Sequence, residues 1–198
     1  MSKAEDTRAR ILDAAENVVL RDGVAHLTLD ATAAEAGLSK GGVLYHFPSR
    51  DALVAGMVTR LIDGFNDDLA ARQADDRGPG AFTRAYVEAS FAPLPGGSDA
   101  REIRLGAALI AAAAAEPALL QPLQDDFARM QELVEDDGID PARATLVRLA
   151  ADGLWLADLF GLAPLDAALR AQVVAELEVL CRPTPAERRA ARAALASS

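Results

Sequence analysis

The stretch of sequence that decides the N-terminal fold lies at residues 28–53 and reads TLDATAAEAGLSKGGVLYHFPSRDAL. Within it, the small residue Ala33 precedes Gly37 by four positions, and the apolar residue Val43 follows Gly37 by six. Two short helices that cross steeply need a small side chain where they touch, a glycine where the turn takes positive φ, and an apolar residue that seals the underside. The spacing therefore predicts a helix-turn-helix.

Capping residues predict the bounds of these two helices. Thr28 is a favourable N-cap for a helix that ends at about Ala36, and Asp30 lies in its first turn, where the helix dipole favours an anion. Ser39 is a favourable N-cap for a second, very short helix that ends at about His46.

Apolar residues recur at helical spacing along the remaining chain, and no alternating run of β-branched residues predicts a strand. The sequence therefore predicts an all-α fold. It consists of an N-terminal three-helix helix-turn-helix domain (1–50), a domain of about six helices (51–182) and an alanine- and arginine-rich tail (183–198), which is expected to be a frayed helix at first and disordered from residue 191. The helices predicted outside the motif are 7–21, 50–73, 81–91, 99–115, 117–136, 140–160 and 165–181.

Composition and charge limit the classes of protein that fit. The 198 residues are 51% apolar and 25% charged, as in an ordinary globular chain. The formal net charge is -10, so the molecule as a whole repels polyanions. Residues 1–60 carry 7 basic and 8 acidic side chains, whereas the other 138 residues carry 13 and 22. Any contact with nucleic acid is therefore expected to be local and N-terminal.

The expected compartment follows from the cysteine count and the absence of apolar segments. The single cysteine, Cys181, cannot form an internal disulfide, which is typical of a reducing compartment. Residues 1–10 are polar where a secretory signal needs an apolar run, and the longest weakly apolar stretch, 105–115, is about half as long as a membrane helix. The sequence predicts a cytoplasmic protein without a membrane segment.

Residues 38–53, LSKGGVLYHFPSRDAL, resemble the signature of the TetR (tetracycline-repressor-like) transcriptional regulators, and family-like spacing extends over residues 7–53. The rest of the chain agrees with that family only in length and helical character. The resemblance implies a homodimer that binds a double-stranded DNA operator through its N-terminal domain. It also implies that the protein acts as a repressor, which is the usual mode of the family. A small molecule bound in the C-terminal domain would then release the protein from its operator.

Six DNA contacts follow from this resemblance and from side-chain chemistry. A lysine at position 40 suits a phosphate or a guanine, and hydroxyl and imidazole groups suit phosphates. Gly41 and Gly42 depart from the threonine that is more usual near here, so fewer side chains are expected to read bases. The predicted DNA-binding residues are Thr28, Ser39, Lys40, Tyr45, His46 and Arg50.

The second half of the chain offers a dimer interface and an effector cavity. Leucine-rich stripes on the last two long helices either face their own core or, as the resemblance implies, pack against a second copy; they comprise Leu146, Leu149, Leu156, Leu159, Leu169, Val173, Leu177 and Leu180. The predicted effector-binding residues, whose alternative role is in the core or on the surface, are Tyr86, Arg104, Phe127, Met130, Asp152 and Trp155.

Two other classes of function stay open from the sequence alone: a helical adaptor that binds another protein, and a non-metal enzyme that uses the C-terminal cavity. The enzyme is disfavoured because the chain has two histidines and lacks a His-x-x-x-His or Glu-x-x-His pair, a nucleophile elbow and a phosphate loop. No metal, cofactor or catalytic residue is predicted.

Overall fold

A computed structural model describes residues 3–91 and 99–196. Within these ranges the chain forms helices and their connections and no strand, which confirms the all-α prediction. A short 3-10 helix, Val24–His26, lies between the first two α-helices. The α-helices are α1 (Lys3–Asp22), α2 (Leu29–Ala36), α3 (Lys40–His46), α4 (Arg50–Gln73), α5 (Ala81–Phe91), α6 (Asp99–Ala115), α7 (Pro117–Glu135), α8 (Pro141–Phe160), α9 (Ala167–Leu180) and α10 (Pro185–Ala196).

Capping explains most of the helix bounds. Thr28 and Ser39 cap α2 and α3 as predicted, and Gly37 ends α2 in the left-handed conformation at φ 64°. The carboxylate of Asp140 caps α8, and that of Asp166 caps α9. The cap at Asp166 moves the start of α9 two residues beyond the predicted position, and α1 begins earlier than predicted, at Lys3.

The tail differs from the prediction, because α10 is helical to Ala196 where disorder was predicted from residue 191. A capping box starts this helix: the Glu187 N–H donates to Thr184 Oγ1 (3.2 Å), and the Thr184 N–H donates to Glu187 Oε2 (2.5 Å). Glu187 also accepts two hydrogen bonds from the Arg143 guanidinium at the start of α8. Residues 197–198 lie outside the described residues.

The chain divides into two compact units. Unit 1 comprises residues 1–63 and 96–125, and unit 2 comprises residues 64–95 and 126–198. This division differs from the boundary predicted after residue 50. The reason is that Leu105 and Leu109 of α6 are buried in the same apolar cluster as the side chains of α1 and α4.

The core of unit 1 forms around one apolar face of α1. Five residues of that face are buried, and side chains from the loop before α2, from α3 and from the loop after α3 pack into the same cluster beside those of α4 and α6. The residues concerned are Ile11, Leu12, Ala15, Val18 and Val19 on α1, with Leu27, Val43 and Phe47.

In unit 2, the N-terminus of α5 is capped by a distant carboxylate. The N–H groups of Phe82 and Thr83 donate to the two carboxylate oxygens of Asp137 at 2.9 and 2.8 Å. Gly80 precedes this cap with φ 81°, and a Cβ there would lie 2.2 Å from the carbonyl oxygen of Cys181. The chain therefore approaches itself so closely at Gly80 that only glycine fits.

Burial raises the pKa of the Cys181 thiol to about 12.

No single helix in the described ranges is long and apolar enough to cross a membrane. One strongly bent pair, residues 103–113 with 118–135, meets the length and composition criteria when its two helices are taken together.

Candidate functional site

The turn between α2 and α3 has the geometry that its spacing predicts. Ala33 and Val43 are buried, and Gly37 takes the left-handed conformation. The Leu38 N–H donates to the Ala33 carbonyl at 2.9 Å, which closes the end of α2. These contacts fix α3 against α2 through its buried side and leave its opposite side exposed.

The exposed side of α3 carries Tyr45, whose exposed fraction is 83%. Its ring meets the half-buried His46 imidazole edge to face, with 5.1 Å between ring centroids. Leu44 is also exposed. A phenol held out from a short, rigid helix can donate a hydrogen bond to a phosphate or pack on a thymine methyl group.

Thr28 and Ser39 lie at the N-termini of α2 and α3 and are both exposed. Thr28 Oγ1 accepts a hydrogen bond from the Ala31 N–H at 3.0 Å, and Ser39 Oγ accepts from the Gly42 N–H at 3.1 Å. In these bonds each hydroxyl uses only a lone pair, so its hydrogen can still be donated to a further acceptor.

Lys40 Nζ donates to Asp30 Oδ2 at 2.8 Å, and both side chains are mostly exposed. An exposed ion pair of this kind contributes about 0–1 kcal/mol, so Lys40 can exchange Asp30 for another anion at small cost. Sequence reasoning placed Asp30 at a helix N-terminus but missed this pairing, because the two residues are brought together only by the turn.

Arg50, the sixth predicted DNA contact, is engaged within unit 1. Its Nε donates to the Leu27 carbonyl at 3.1 Å, and its Nη2 donates to the Val24 carbonyl at 3.0 Å. These bonds tie the start of α4 to the loop before α2. Arg50 therefore positions the motif, and its predicted contact with DNA stays a prediction.

Gly41 and Gly42 form part of the first turn of the seven-residue helix α3. Each glycine in a helix interior destabilises it by about 0.5–1 kcal/mol relative to alanine. The carbonyl of Ser39 accepts from the Val43 N–H at 3.2 Å, so the helix nevertheless starts regularly.

The predicted effector residues Tyr86 and Asp152 meet in unit 2. The Tyr86 hydroxyl is in a buried side chain and donates to Asp152 Oδ1 at 2.5 Å, while Arg148 Nη1 donates to Asp152 Oδ2 at 2.6 Å. Burial and the nearby Asp152 carboxylate raise the pKa of Tyr86. Burial also raises the pKa of Asp152, against the lowering by the Tyr86 hydrogen bond and the Arg148 charge.

Sequence reasoning missed three members of this cluster, Arg148, Gln131 and Thr145. Arg148 lies one helical turn before Asp152, and its Nε donates to Gln131 Oε1 at 2.8 Å. Gln131 Nε2 in turn donates to Thr145 Oγ1 at 2.9 Å. The i,i+4 spacing of Arg148 and Asp152 is the one signal in the sequence that could have indicated the ion pair.

The other predicted effector residues are dispersed. Met130 is buried in the same apolar cluster as Tyr86, and Phe127 and Trp155 are half-buried. Arg104 belongs to unit 1, where its Nη2 donates to the Leu20 carbonyl at 3.0 Å. The structure therefore does not group Arg104 with the five predicted residues of unit 2.

A surface hollow of about 300 Å³ opens in unit 2. It is lined by α4, α5, α7 and the residues that follow α7, and it includes none of the six predicted effector residues. Asn66 lines it, and Asn66 Oδ1 is buried without a hydrogen-bond partner among the described residues. Phe82 also lines it, and 6.4 Å separate the ring centroids of Phe82 and Tyr86. Tyr86 therefore does not line the hollow but is a neighbour of Phe82, which does.

The leucine stripes of α8 and α9 divide between the core and the surface. Leu159, Val173 and Leu177 face the core of unit 2, in agreement with the interpretation that the stripes face their own core. The rest of the predicted stripe residues are exposed, together with Phe160, Leu162 and Val179; they are Leu146, Leu149, Leu156, Leu169 and Leu180. On α8 the exposed apolar residues follow one another at spacings of three, seven and four positions, which places them on one side of the helix as an apolar stripe.

The described residues hold no group of three or more His, Cys, Asp and Glu side chains that is arranged to bind a metal ion.

Two family models match the chain. The model of the bacterial regulatory proteins of the tetR family matches residues 11–57, and the model described as tetracyclin repressor-like, C-terminal domain, matches residues 80–182. Among curated relatives, the chain is 42% identical over 77 residues to the HTH-type transcriptional regulator SrpR of Pseudomonas putida. It is 32% identical over 74 residues to the HTH-type transcriptional regulator TtgR, also of Pseudomonas putida. These matches span 37% of this chain and only 35–36% of the relatives.

Solved structures are similar over nearly the whole chain. The multidrug binding protein EbrR, in complex with imidazole, is 30% identical with a TM-score of 0.65, over 91% of this chain and 97% of EbrR. A TetR-family member from Streptomyces coelicolor A3 is 28% identical with a TM-score of 0.64, over 87% of this chain and 98% of that protein. The helix-turn-helix at the N-terminus, the helical unit that follows and these matches lead to one conclusion: the chain belongs to the TetR family of bacterial regulatory proteins.

Proposed function

We propose that the chain regulates transcription by binding a pseudo-palindromic DNA operator with α3 in the major groove. The observation that carries this proposal is the form of α3. It is short, capped at Ser39, anchored by buried Val43, and it presents Tyr45 almost fully to solvent. A helix held in this way can enter the groove and bring Lys40 and Tyr45 to phosphates and base edges. Thr28, Ser39 and His46 add hydrogen-bond donors around it.

The first test is binding of the purified protein to DNA. Fluorescence anisotropy compares the duplex upstream of the protein's own gene with a scrambled duplex at about 150 mM salt, because affinity depends steeply on salt. We expect a preference of at least about a hundredfold for the upstream duplex. The double variant Lys40→Ala/Tyr45→Ala should lose this preference and keep its helical circular dichroism.

A matched control removes a positive charge elsewhere. Arg192 on α10 is exposed, and Arg192→Ala should leave the preference unchanged. Equal binding of both duplexes by the wild-type chain contradicts the proposal as made for this operator. The helical adaptor would then become the better interpretation.

We propose further that two copies pair through the exposed apolar stripe of α8 and the neighbouring exposed residues of α9. Such a stripe on a soluble helix normally packs against a partner. A two-fold dimer would place the two copies of α3 one turn of DNA apart, about 34–36 Å. Leu149→Glu/Leu156→Glu should halve the mass measured by light scattering and weaken operator binding. Ala71→Glu, an exposed position on α4, is the control that should stay dimeric. A wild-type mass of one chain overturns the dimer.

Release by a small molecule is the third element of the proposal. Structures of EbrR hold malachite green and ethidium. In this chain the hollow beside Phe82, which Asn66 and Leu69 also line, supports a site for a molecule with an apolar body. Tyr86 and Met130 are buried in the same unit and would be reached only after a rearrangement, whereas Asp152 is half-buried.

Quenching of Trp155 fluorescence, the single tryptophan of the chain, reports binding of malachite green to the free protein. Asn66→Ala should weaken binding, whereas Tyr86→Phe should weaken it only if the ligand enters the interior. Operator affinity is then measured with and without each compound that binds. An unchanged operator affinity with every compound that binds overturns release by these ligands, because a ligand shifts an equilibrium only through differential affinity.

Deletion of the protein tests the sign of regulation. Transcription of the controlled gene should rise if the protein is a repressor, and a fall would show that the protein is an activator.

A further inference from the structure

The fold itself does not require glycine at position 41 or 42. Both residues lie in helix α3, and neither has positive φ. A Cβ built at Gly41 would come no nearer than 4.0 Å to Ser39 Oγ. A Cβ built at Gly42 would lie 3.4 Å from the same oxygen and 3.9 Å from Leu38 Cβ, which are ordinary van der Waals distances. Alanine would fit at either position and favour the helix.

Helical geometry places Gly41 on the side of α3 that faces away from the core. Residues 41 and 45 are one turn apart and therefore adjacent on the helix surface, and both lie nearly opposite Val43. The exposures agree, since Gly41 and Tyr45 are exposed and Val43 is buried. Gly42 lies on the flank of the helix and is half-buried.

We propose that Gly41 is required for close docking on the operator, because its missing side chain lets the DNA surface contact the backbone of α3 directly beside Tyr45. A methyl group at position 41 would act as a spacer between helix and groove. It would hold Tyr45 and Lys40 away from base edges and phosphates, and hydrogen bonds weaken steeply with distance. This inference rests on the proposed operator binding and adds a steric requirement to it.

The position of Gly42 predicts a smaller loss of DNA affinity there than at Gly41. A methyl group on the flank of α3 projects partly toward Leu38 and Ser39 and only partly toward the groove. Alanine at position 42 should therefore weaken DNA binding less than alanine at position 41.

The test compares Gly41→Ala and Gly42→Ala with Gly64→Ala. Gly64 is a matched control, because it is exposed on α4 and a Cβ there would meet no atom within 4 Å. We expect each of the three variants to raise the Tm by about 1–4 °C, as removal of a helical glycine does. Operator Kd should rise at least about tenfold in Gly41→Ala, by less in Gly42→Ala, and stay within about twofold in Gly64→Ala.

Two outcomes overturn the inference while leaving operator binding intact. In one, Gly41→Ala binds the operator as tightly as wild type. In the other, Gly41→Ala lowers the Tm, which would show that the fold requires the glycine. Failure of the proposed function looks different, because the wild-type chain itself would then not discriminate operator from scrambled duplex, and the inference would fall with it.

Discussion

Glycine serves opposite purposes in two regions of this molecule. In unit 2, Gly80 has positive φ, and a Cβ there would lie 2.2 Å from a backbone oxygen, so packing within the chain fully explains the residue. In unit 1, Gly41 and Gly42 are helical and have room for a side chain. Packing within the chain does not explain them.

Tyrosine shows the same contrast. The Tyr86 hydroxyl is buried and donates to Asp152, which also accepts from Arg148. Tyr45 is exposed. Among the described residues of unit 1, its ring forms one aromatic pair, an edge-to-face contact with His46. Residues whose identity the fold does not require are the ones to examine for contacts outside the chain, and Gly41, Gly42 and Tyr45 of α3 are among them.

The largest expected effect tests the structural glycine. Gly80→Ala should lower the free energy of unfolding by about 2–5 kcal/mol, because left-handed φ costs a residue with a Cβ about 1–2 kcal/mol and overpacking adds about 1–3 kcal/mol. Urea unfolding followed by circular dichroism measures it. The control is Gly64→Ala, also in unit 2, which should gain stability; equal behaviour of the two variants would remove the basis of the glycine comparison.

The next effect comes from the two tyrosines. Tyr86→Phe should lower the free energy of unfolding by about 1.5–3 kcal/mol, because it removes a buried hydrogen bond to a carboxylate. Tyr45→Phe removes the same atom from an exposed side chain and should change stability by less than about 0.5 kcal/mol. A loss of similar size in both variants, again by urea unfolding, would show that exposure does not separate the two hydroxyls.

Glu187, like Tyr86, is a side chain of unit 2 whose hydrogen-bond partners lie within the chain. Partial burial would raise the pKa of Glu187, but hydrogen bonds from Arg143 and Thr184 lower it to about 2. Because the folded-state pKa lies below the ordinary value of 4.5, the stabilisation is complete above pH 4.5 and is lost as the pH falls toward 2. Glu187→Gln should therefore cost about 1–2 kcal/mol at neutral pH.

Thermal unfolding of wild type and Glu187→Gln across this range measures the effect. The difference in Tm should shrink between pH 4.5 and 2. A difference that stays constant down to the lowest pH would mean that the charge of Glu187 does not anchor α10.

The smallest effect concerns the exposed ion pair of unit 1. Asp30→Asn frees Lys40 and removes a negative charge beside α3, so affinity for any duplex should rise by about two- to fivefold at low salt, with a steeper salt dependence. Asp67→Asn changes the net charge equally from an exposed position on α4. If both variants gain affinity alike, the pairing of Asp30 with Lys40 has no specific role; a loss of affinity in Asp30→Asn would mean that Asp30 positions Lys40.

Local signals in the sequence predicted most of the fold. Thr28, Ser39, Gly37 and Asp140 mark helix ends through contacts within a few residues, which a sequence displays directly. The tail was predicted as a frayed helix with disorder from residue 191, although Thr184 and Glu187 form a capping box that is visible in the sequence and starts a helix to Ala196. The cap that Asp137 provides to α5 spans more than fifty residues, and no local pattern indicates it.

The candidate site divides in the same way. Lys40 and Tyr45 could be proposed as DNA contacts because the chemistry of α3 is local and resembles a known family, and their contact with DNA stays a prediction. The bonds of Arg50 to backbone carbonyls and the placement of Arg104 in unit 1 depend on how distant segments meet. Periodicity gives the buried face of a helix but not its neighbours, so it could not decide whether Met130, predicted as an effector-binding residue, lies in the core, and it could not locate the hollow beside Phe82.

The hydroxyl caps have a further consequence for the kinetics of recognition. Thr28 and Ser39 accept backbone N–H groups through lone pairs and keep their hydrogens, so each can contact a phosphate without releasing the amide it already holds. The first turns of α2 and α3 therefore do not have to fray and reform during docking. Under the proposed operator binding, the encounter requires no local unfolding, so association should proceed in a single step whose rate is set by diffusion and charge.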